Sequence, residues 1–185
     1  MADSTAPMRA DARRNYDALL DAAQMVVARD GANFTFEDVA SSAGVGKGTL
    51  YRHFPTRDHL LAALLTTEFE RLADAARDLH DQELEPWTAY VDWLQRFDAL
   101  PGVYRGLQSR LATALQDDSS AIAQACVPMK SAFGGILARA QLEAGVRKDI
   151  KVPDLLAVIA SLPADLRTVG EPHPYLSVVL EGTRR

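Results

Sequence analysis

Residues 35–54 read TFEDVASSAGVGKGTLYRHF, and this stretch decides the fold. Thr35 is a natural N-cap, with acidic Glu37 and Asp38 in the positive first turn of the helix that follows. Val39, Ala40 and Ala43 give that helix one apolar face. Gly44-Val45-Gly46 then holds a single apolar residue between two glycines, the composition of a tight turn. The next helix, predicted over 47–54, is only about two turns long. Leu50 and Phe54 are four apart on its inner side, and Pro55 ends it. A helix, a glycine turn and a short second helix make a helix-turn-helix, in which the first helix braces the second.

Outward from this unit the apolar spacing stays helical. Tyr16, Leu19, Leu20, Ala23, Val26 and Val27 form one stripe of a preceding helix that Gly31 ends. Thr56 caps a following helix, with Asp58 in its first turn. Leu61, Leu65, Phe69, Leu72, Ala76 and Leu79 recur at steps of 4, 4, 3, 4 and 3, which predicts a long helix from about 57 to about 81. The charged stretch 81–85 before Pro86 is the expected boundary between two modules, joined by that helix. An aromatic-rich helix then carries Trp87, Tyr90, Trp93 and Phe97 and stops at Leu100, before Pro101. A further helix runs to about 116. Ile122, Cys126, Met129, Phe133, Leu137 and Ala140 form a long stripe, with Pro128 expected to kink it. Helices over 155–162 and 175–180 complete the chain, which carries no strand pattern and no internal repeat. The expected fold is all-α.

Composition excludes several classes. The chain has 185 residues, 48% hydrophobic and 24% charged, which is globular usage and enough chain for a core without disulfides or metals. A single cysteine, Cys126, rules out an intrachain disulfide and a Cys-based zinc site. No run of uninterrupted apolar residues is long enough to read as a membrane span. Residues 1–12 lack the apolar segment of a secretory signal and read as a disordered arm. The expected location is the cytoplasm. Net charge is −5, yet 44–57 holds Lys47, Arg52 and Arg57 and no acidic residue. Arg9, Arg13 and Arg14 form a second basic cluster. Local charge of this kind matters more for a polyanionic partner than the total.

The outer face of the second helix carries Lys47, Gly48, Thr49, Tyr51, Arg52 and His53. A helix of this size fits the DNA major groove, which is about 12 Å wide. Lys47 at the helix N-terminus suits a phosphate or a guanine edge. Gly48 lets the backbone approach closely. Thr49 offers a methyl and a hydroxyl to a base edge, and Tyr51 and His53 offer donors to phosphates. Arg52 suits phosphate or guanine, while Thr35 and Arg57 bracket the face with further phosphate contacts.

Thr35, Val39-Ala40, Ala43-Gly44-Val45 and Gly48-Thr49-Leu50-Tyr51-Arg52-His53-Phe54 together closely resemble the DNA-binding domain of the tetracycline-repressor (TetR) family. The likeness covers about 13–60. Many members carry Ser where this chain has Gly46, so one side-chain contact to DNA is missing here. The resemblance implies a DNA-binding domain over 13–60 and a ligand-binding and dimerisation domain over 61–185. It implies a homodimer of nine or ten helices per chain, with the last two, here 152–169 and 172–183, pairing across a two-fold axis. It further implies a regulator, in the repressor reading, that binds a palindromic double-stranded operator through 35–54 and is released by a small-molecule effector.

The second half is less specific. Trp87, Tyr90, Trp93, Phe97 and Tyr104 are either core or one wall of an effector pocket, with Cys126, Met129 and Phe133 opposite. Cys126 reads as a small buried apolar residue, since a redox sensor needs an exposed, activated thiolate. Enzyme readings fail: His53, His59, His80 and His173 have no metal-ligand spacing, and 44–49 lacks the spacing of a phosphate loop. No cofactor, metal or membrane partner is expected. The alternative is a small-molecule-binding helical module whose helix-turn-helix is vestigial.

Overall fold

The computed structural model describes residues 5–82, 84–103, 107–117, 119–163, 166 and 171–185. Among them are nine α-helices: α1 (Thr5–Asp30), α2 (Phe36–Ser42), α3 (Lys47–His53), α4 (Arg57–Asp81), α5 (Pro86–Val103), α6 (Gln108–Gln116), α7 (Ala121–Glu143), α8 (Val152–Ala160) and α9 (Leu176–Gly182). The only β pairing among these residues is one antiparallel bridge between Val146 and Arg184.

The N-terminal unit is built by its local signals. The α1 stripe is buried at Leu19, Ala23, Val26 and Val27. Gly31 breaks the helix at φ 58°, in the left-handed region that glycine enters without steric cost. Thr35 caps α2: its Oγ1 accepts from the Asp38 amide at 3.1 Å and its hydroxyl donates to the Asp38 carboxylate at 2.5 Å. Gly44, at φ 66°, turns the chain toward α3. Val39, Leu50 and Phe54 are buried, so α2 and α3 share one small core with α1. Phe54 itself leaves the helix and is extended, at φ −129°.

α4 links this unit to the rest. Its packing along α7 is the most extensive helix pairing among the described residues, and α6 against α8 comes next. α7 is 23 residues long and, with hydropathy 1.3 over its most apolar window, meets the length and composition of a membrane span. It is instead the central helix of the bundle, with Cys126, Met129, Phe133 and Leu137 buried. The chain end is clipped to the turn after α7: the Arg147 amide donates to the Thr183 carbonyl at 2.9 Å, and the Arg185 amide to the Gly145 carbonyl at 3.1 Å.

Three expectations are corrected here. Residues 5–12 belong to α1 and not to an arm, and Pro7 is compatible with this because it falls in the first turn, where a helix has no use for its missing amide hydrogen. α5 continues through Pro101 to Val103 and does not stop at Leu100. The last two helices are shorter than 152–169 and 172–183, at nine and seven residues.

Candidate nucleic-acid interface

Leu50, fully buried, sets the roll of α3, and everything else on that helix follows from it. Lys47, Gly48, Tyr51 and Arg52 are exposed, and Thr49 and His53 are half-buried. Gly46 is the α3 N-cap, in extended conformation and without a side chain to cap the helix. Tyr51 is 53% exposed although it is a large aromatic. Its ring leans on Phe36 of α2, with centroids 5.2 Å apart. Arg52 lies back along the helix: its Nε donates to the Gly48 carbonyl at 3.1 Å and its Nη2 to Thr49 Oγ1 at 3.5 Å. Six of the nine expected contact residues therefore lie on α3, and a seventh, Gly46, caps it.

The other two behave differently. Thr35 is exposed, but its hydroxyl is occupied as a cap. The Arg57 guanidinium lies 4.2 Å over the Phe34 ring, in the junction between the N-terminal unit and the bundle. Burial, with the Arg110 charge nearby, holds its pKa below the ordinary arginine value. Arg110 itself pairs with Asp58 at 2.7 Å, tying the first turn of α6 to the first turn of α4.

Three partners of this face were missed by sequence reasoning. Tyr16 of α1 takes the His53 ring edge-on at 5.8 Å and packs on Phe54 at 5.3 Å. Phe36 backs Tyr51. Glu37 of α2 forms an ion pair with Lys47 across the turn. Tyr16 was visible as a stripe residue, and Glu37 as a first-turn charge. Their partners were not visible, because these contacts depend on the angle between helices.

The aromatic set of the second module comes together as core. Tyr90, Trp93, Phe97, Cys126, Met129 and Phe133 are each at 0% exposure. Trp93 stacks on Phe133 at 4.2 Å and on Phe97 at 5.8 Å, and its indole donates to the Leu72 carbonyl at 2.8 Å. Tyr104 lies outside the described residues. Trp87, half-buried, lines a hollow of about 410 Å³ together with Glu85, Glu143, Gly145 and Arg184, and the Arg184 guanidinium sits 4.0 Å over its ring. Burial pushes the Cys126 thiol up to about 12, which leaves it protonated and unreactive.

A short, exposed, cation-bearing helix braced on a helix-turn-helix core, and carried by a separate helical bundle, defines a helix-turn-helix regulator. The comparisons agree. Residues 19–64 match the family of bacterial regulatory proteins of the tetR type, and residues 85–185 match the C-terminal domain of SbtR-like transcriptional regulators. The chain belongs to the TetR family. It is 31% identical to a TetR transcriptional regulator from Streptomyces coelicolor, over 91% of this chain and 97% of that one, with a TM-score of 0.54. It is also 31% identical to a TetR regulatory protein from Mycobacterium vanbaalenii, over 97% and 100% of the two chains, with a TM-score of 0.52. The HTH-type transcriptional repressor LfrR of Mycolicibacterium smegmatis is 40% identical over 68 residues, 37% of this chain and 30% of that protein. The chain spans about a third of the length of the curated relatives it matches.

Proposed function

We propose that the protein is a homodimeric transcriptional repressor that binds a palindromic operator in the cytoplasm and is released by a small molecule. The exposed face of α3 carries this reading. Lys47, Gly48, Thr49, Tyr51, Arg52 and His53 enter the major groove, while Gly46, Thr35 and Arg57 lie at its margins. A two-fold dimer sets two such helices about 34–36 Å apart, so that they fall in successive major grooves. Val158 on α8 and Val178 on α9 support association through the last two helices, since both are apolar and more than half exposed, at 52% and 68%.

The effector site belongs to the bundle between α5 and α7. Its wall is Trp87, Tyr90, Trp93, Phe97, Cys126, Met129 and Phe133, with Tyr104 expected beside them. An aromatic lining suits a flat or lipophilic molecule. Six of these side chains are packed against one another in the core, so entry requires α5 and α7 to part. The Arg110–Asp58 pair supports a route for the signal, because a shift of α6 pulls on the first turn of α4. The effector acts only through its different affinity for the two dimer geometries. Nothing in this mechanism calls for a cofactor, a metal or turnover.

The test is a titration of the protein into duplex DNA from just upstream of its own coding region, at several salt concentrations. Binding much tighter than to scrambled DNA is expected, with a log–log salt slope near −0.9 per phosphate neutralised. If the upstream duplex binds no tighter than scrambled DNA, and genomic selection also recovers no preferred sequence, the repressor reading fails.

A further inference from the structure

We infer that Glu37 is a specificity-determining residue of the DNA-binding face, acting as a positioning residue for Lys47. This rests on the reading that the α3 face contacts DNA. Two carboxylates open α2, and the structure gives them different work. Asp38, itself exposed, reaches back along the helix and closes the Thr35 cap. Glu37 turns outward and pairs with the Lys47 ammonium, ten residues on and across the glycine turn. Both side chains are well exposed, at 66% and 60%, so the core does not force the contact.

A carboxylate on a surface that meets phosphates is repelled by them. At this position it has two consequences for Lys47. The pair cancels the lysine charge, so the cation contributes little to sequence-independent attraction to the DNA backbone. The ammonium has three N–H donors on a flexible stem, and anchoring one of them to Glu37 restrains it at the glycine turn and leaves two donors for DNA. The first turn of α3 is where Gly48 leaves the backbone bare and Thr49 offers its hydroxyl. Lys47 is thereby changed from a mobile, fully charged phosphate contact into a restrained and neutralised one, which lowers binding to any sequence more than binding to the operator. Arg52, by contrast, is held by its own helix, laid back over Gly48 and Thr49.

The experiment compares wild type, Glu37→Gln, Lys47→Ala, the double variant and Tyr51→Ala by fluorescence anisotropy. Two duplexes are used: one recovered by in vitro selection with the wild-type protein, and a scrambled duplex of the same length and composition. Releasing Lys47 in Glu37→Gln is expected to tighten binding to the scrambled duplex by about two- to fivefold. The salt slope should steepen by about 0.9, the value for one more phosphate neutralised. The ratio of selected to scrambled affinity should fall. That change in slope should vanish in the Lys47→Ala background, a dependence on Lys47 that a merely structural role would not produce. An unchanged slope in the single variant, or the same change with and without Lys47, overturns the assignment. The DNA-face reading fails separately, if selection enriches nothing or if Lys47→Ala and Tyr51→Ala bind the selected duplex as wild type does. Circular dichroism on each variant confirms folding, since both residues lie on the surface.

Discussion

Replacing Gly48 by alanine should move stability and recognition in opposite directions. Gly48 is the second residue of α3, and a Cβ built on it meets no atom within 4 Å. Its backbone is helical, outside the left-handed region that holds Gly31, Gly44 and Gly145. The substitution therefore meets no steric resistance in the free protein. Alanine is favoured over glycine in a helix by about 0.5–1 kcal/mol, and a first-turn position should realise the lower end, about 0.5 kcal/mol. For a chain of this length that corresponds to a rise in Tm of about 1–2 °C. In the proposed complex the same methyl would stand between the backbone and the groove. Holding α3 off by a fraction of an ångström lengthens the contacts of Lys47 and Thr49 beside it. A loss of about 1.4 kcal/mol there is a tenfold loss of affinity. Thermal melts followed by circular dichroism read the first effect, and anisotropy titration with a selected duplex reads the second. Wild-type affinity in Gly48→Ala would refute close approach of α3 through this residue. A clear fall in Tm would refute the open space around it.

Gly46→Ser supplies the side chain that the α3 N-cap lacks, and nothing lies within 4 Å to obstruct it. Thermal melts should show a gain of a few tenths of a kcal/mol, about the difference between these caps. Trp93→Phe removes the indole donor to the Leu72 carbonyl and part of the stack on Phe133. Denaturant titration should show a loss of about 1–3 kcal/mol, and a negligible change would mean that the buried bond contributes nothing. Cys126 should resist iodoacetamide at pH 8 in the native protein and react only on unfolding. Its thiol rises from an ordinary value of 9.0 to about 12 because burial penalises the thiolate. Above pH 9 the unfolded chain releases this proton while the native chain keeps it, so stability falls as pH rises toward 12. Tyr90, raised by burial from 10.0 to about 12, adds to the same decline at its upper end. The Cys126→Ala variant should lose stability more slowly between pH 9 and 10, and an unchanged pH profile would contradict the burial of the thiol.

The helical architecture was legible in the sequence because its signals are local. Spacing of three and four placed α1, α4 and α7 on their buried stripes. The hydroxyls of Thr35 and Thr56 marked two helix starts, and each is a cap in the structure. The glycine turn and Leu50 were enough to orient α3, and with it the outer face that carries Tyr51 and Arg52. Local signals also misled: proline suggested a stop at Leu100, and composition suggested an arm before α1.

Pairings between helices were decided only by the tertiary structure. Glu37 meets Lys47, Tyr16 meets His53, and the Arg57 guanidinium turns in over Phe34. Trp93 finds Phe133 on another helix, and the buried Asp98 carboxylate accepts the His173 amide at 2.7 Å, 75 residues away. Backbone hydrogen bonding repeats every 3.6 residues and can be read along a single helix. The angle at which two helices cross depends on every side chain between them, and that angle decides which distant residues meet.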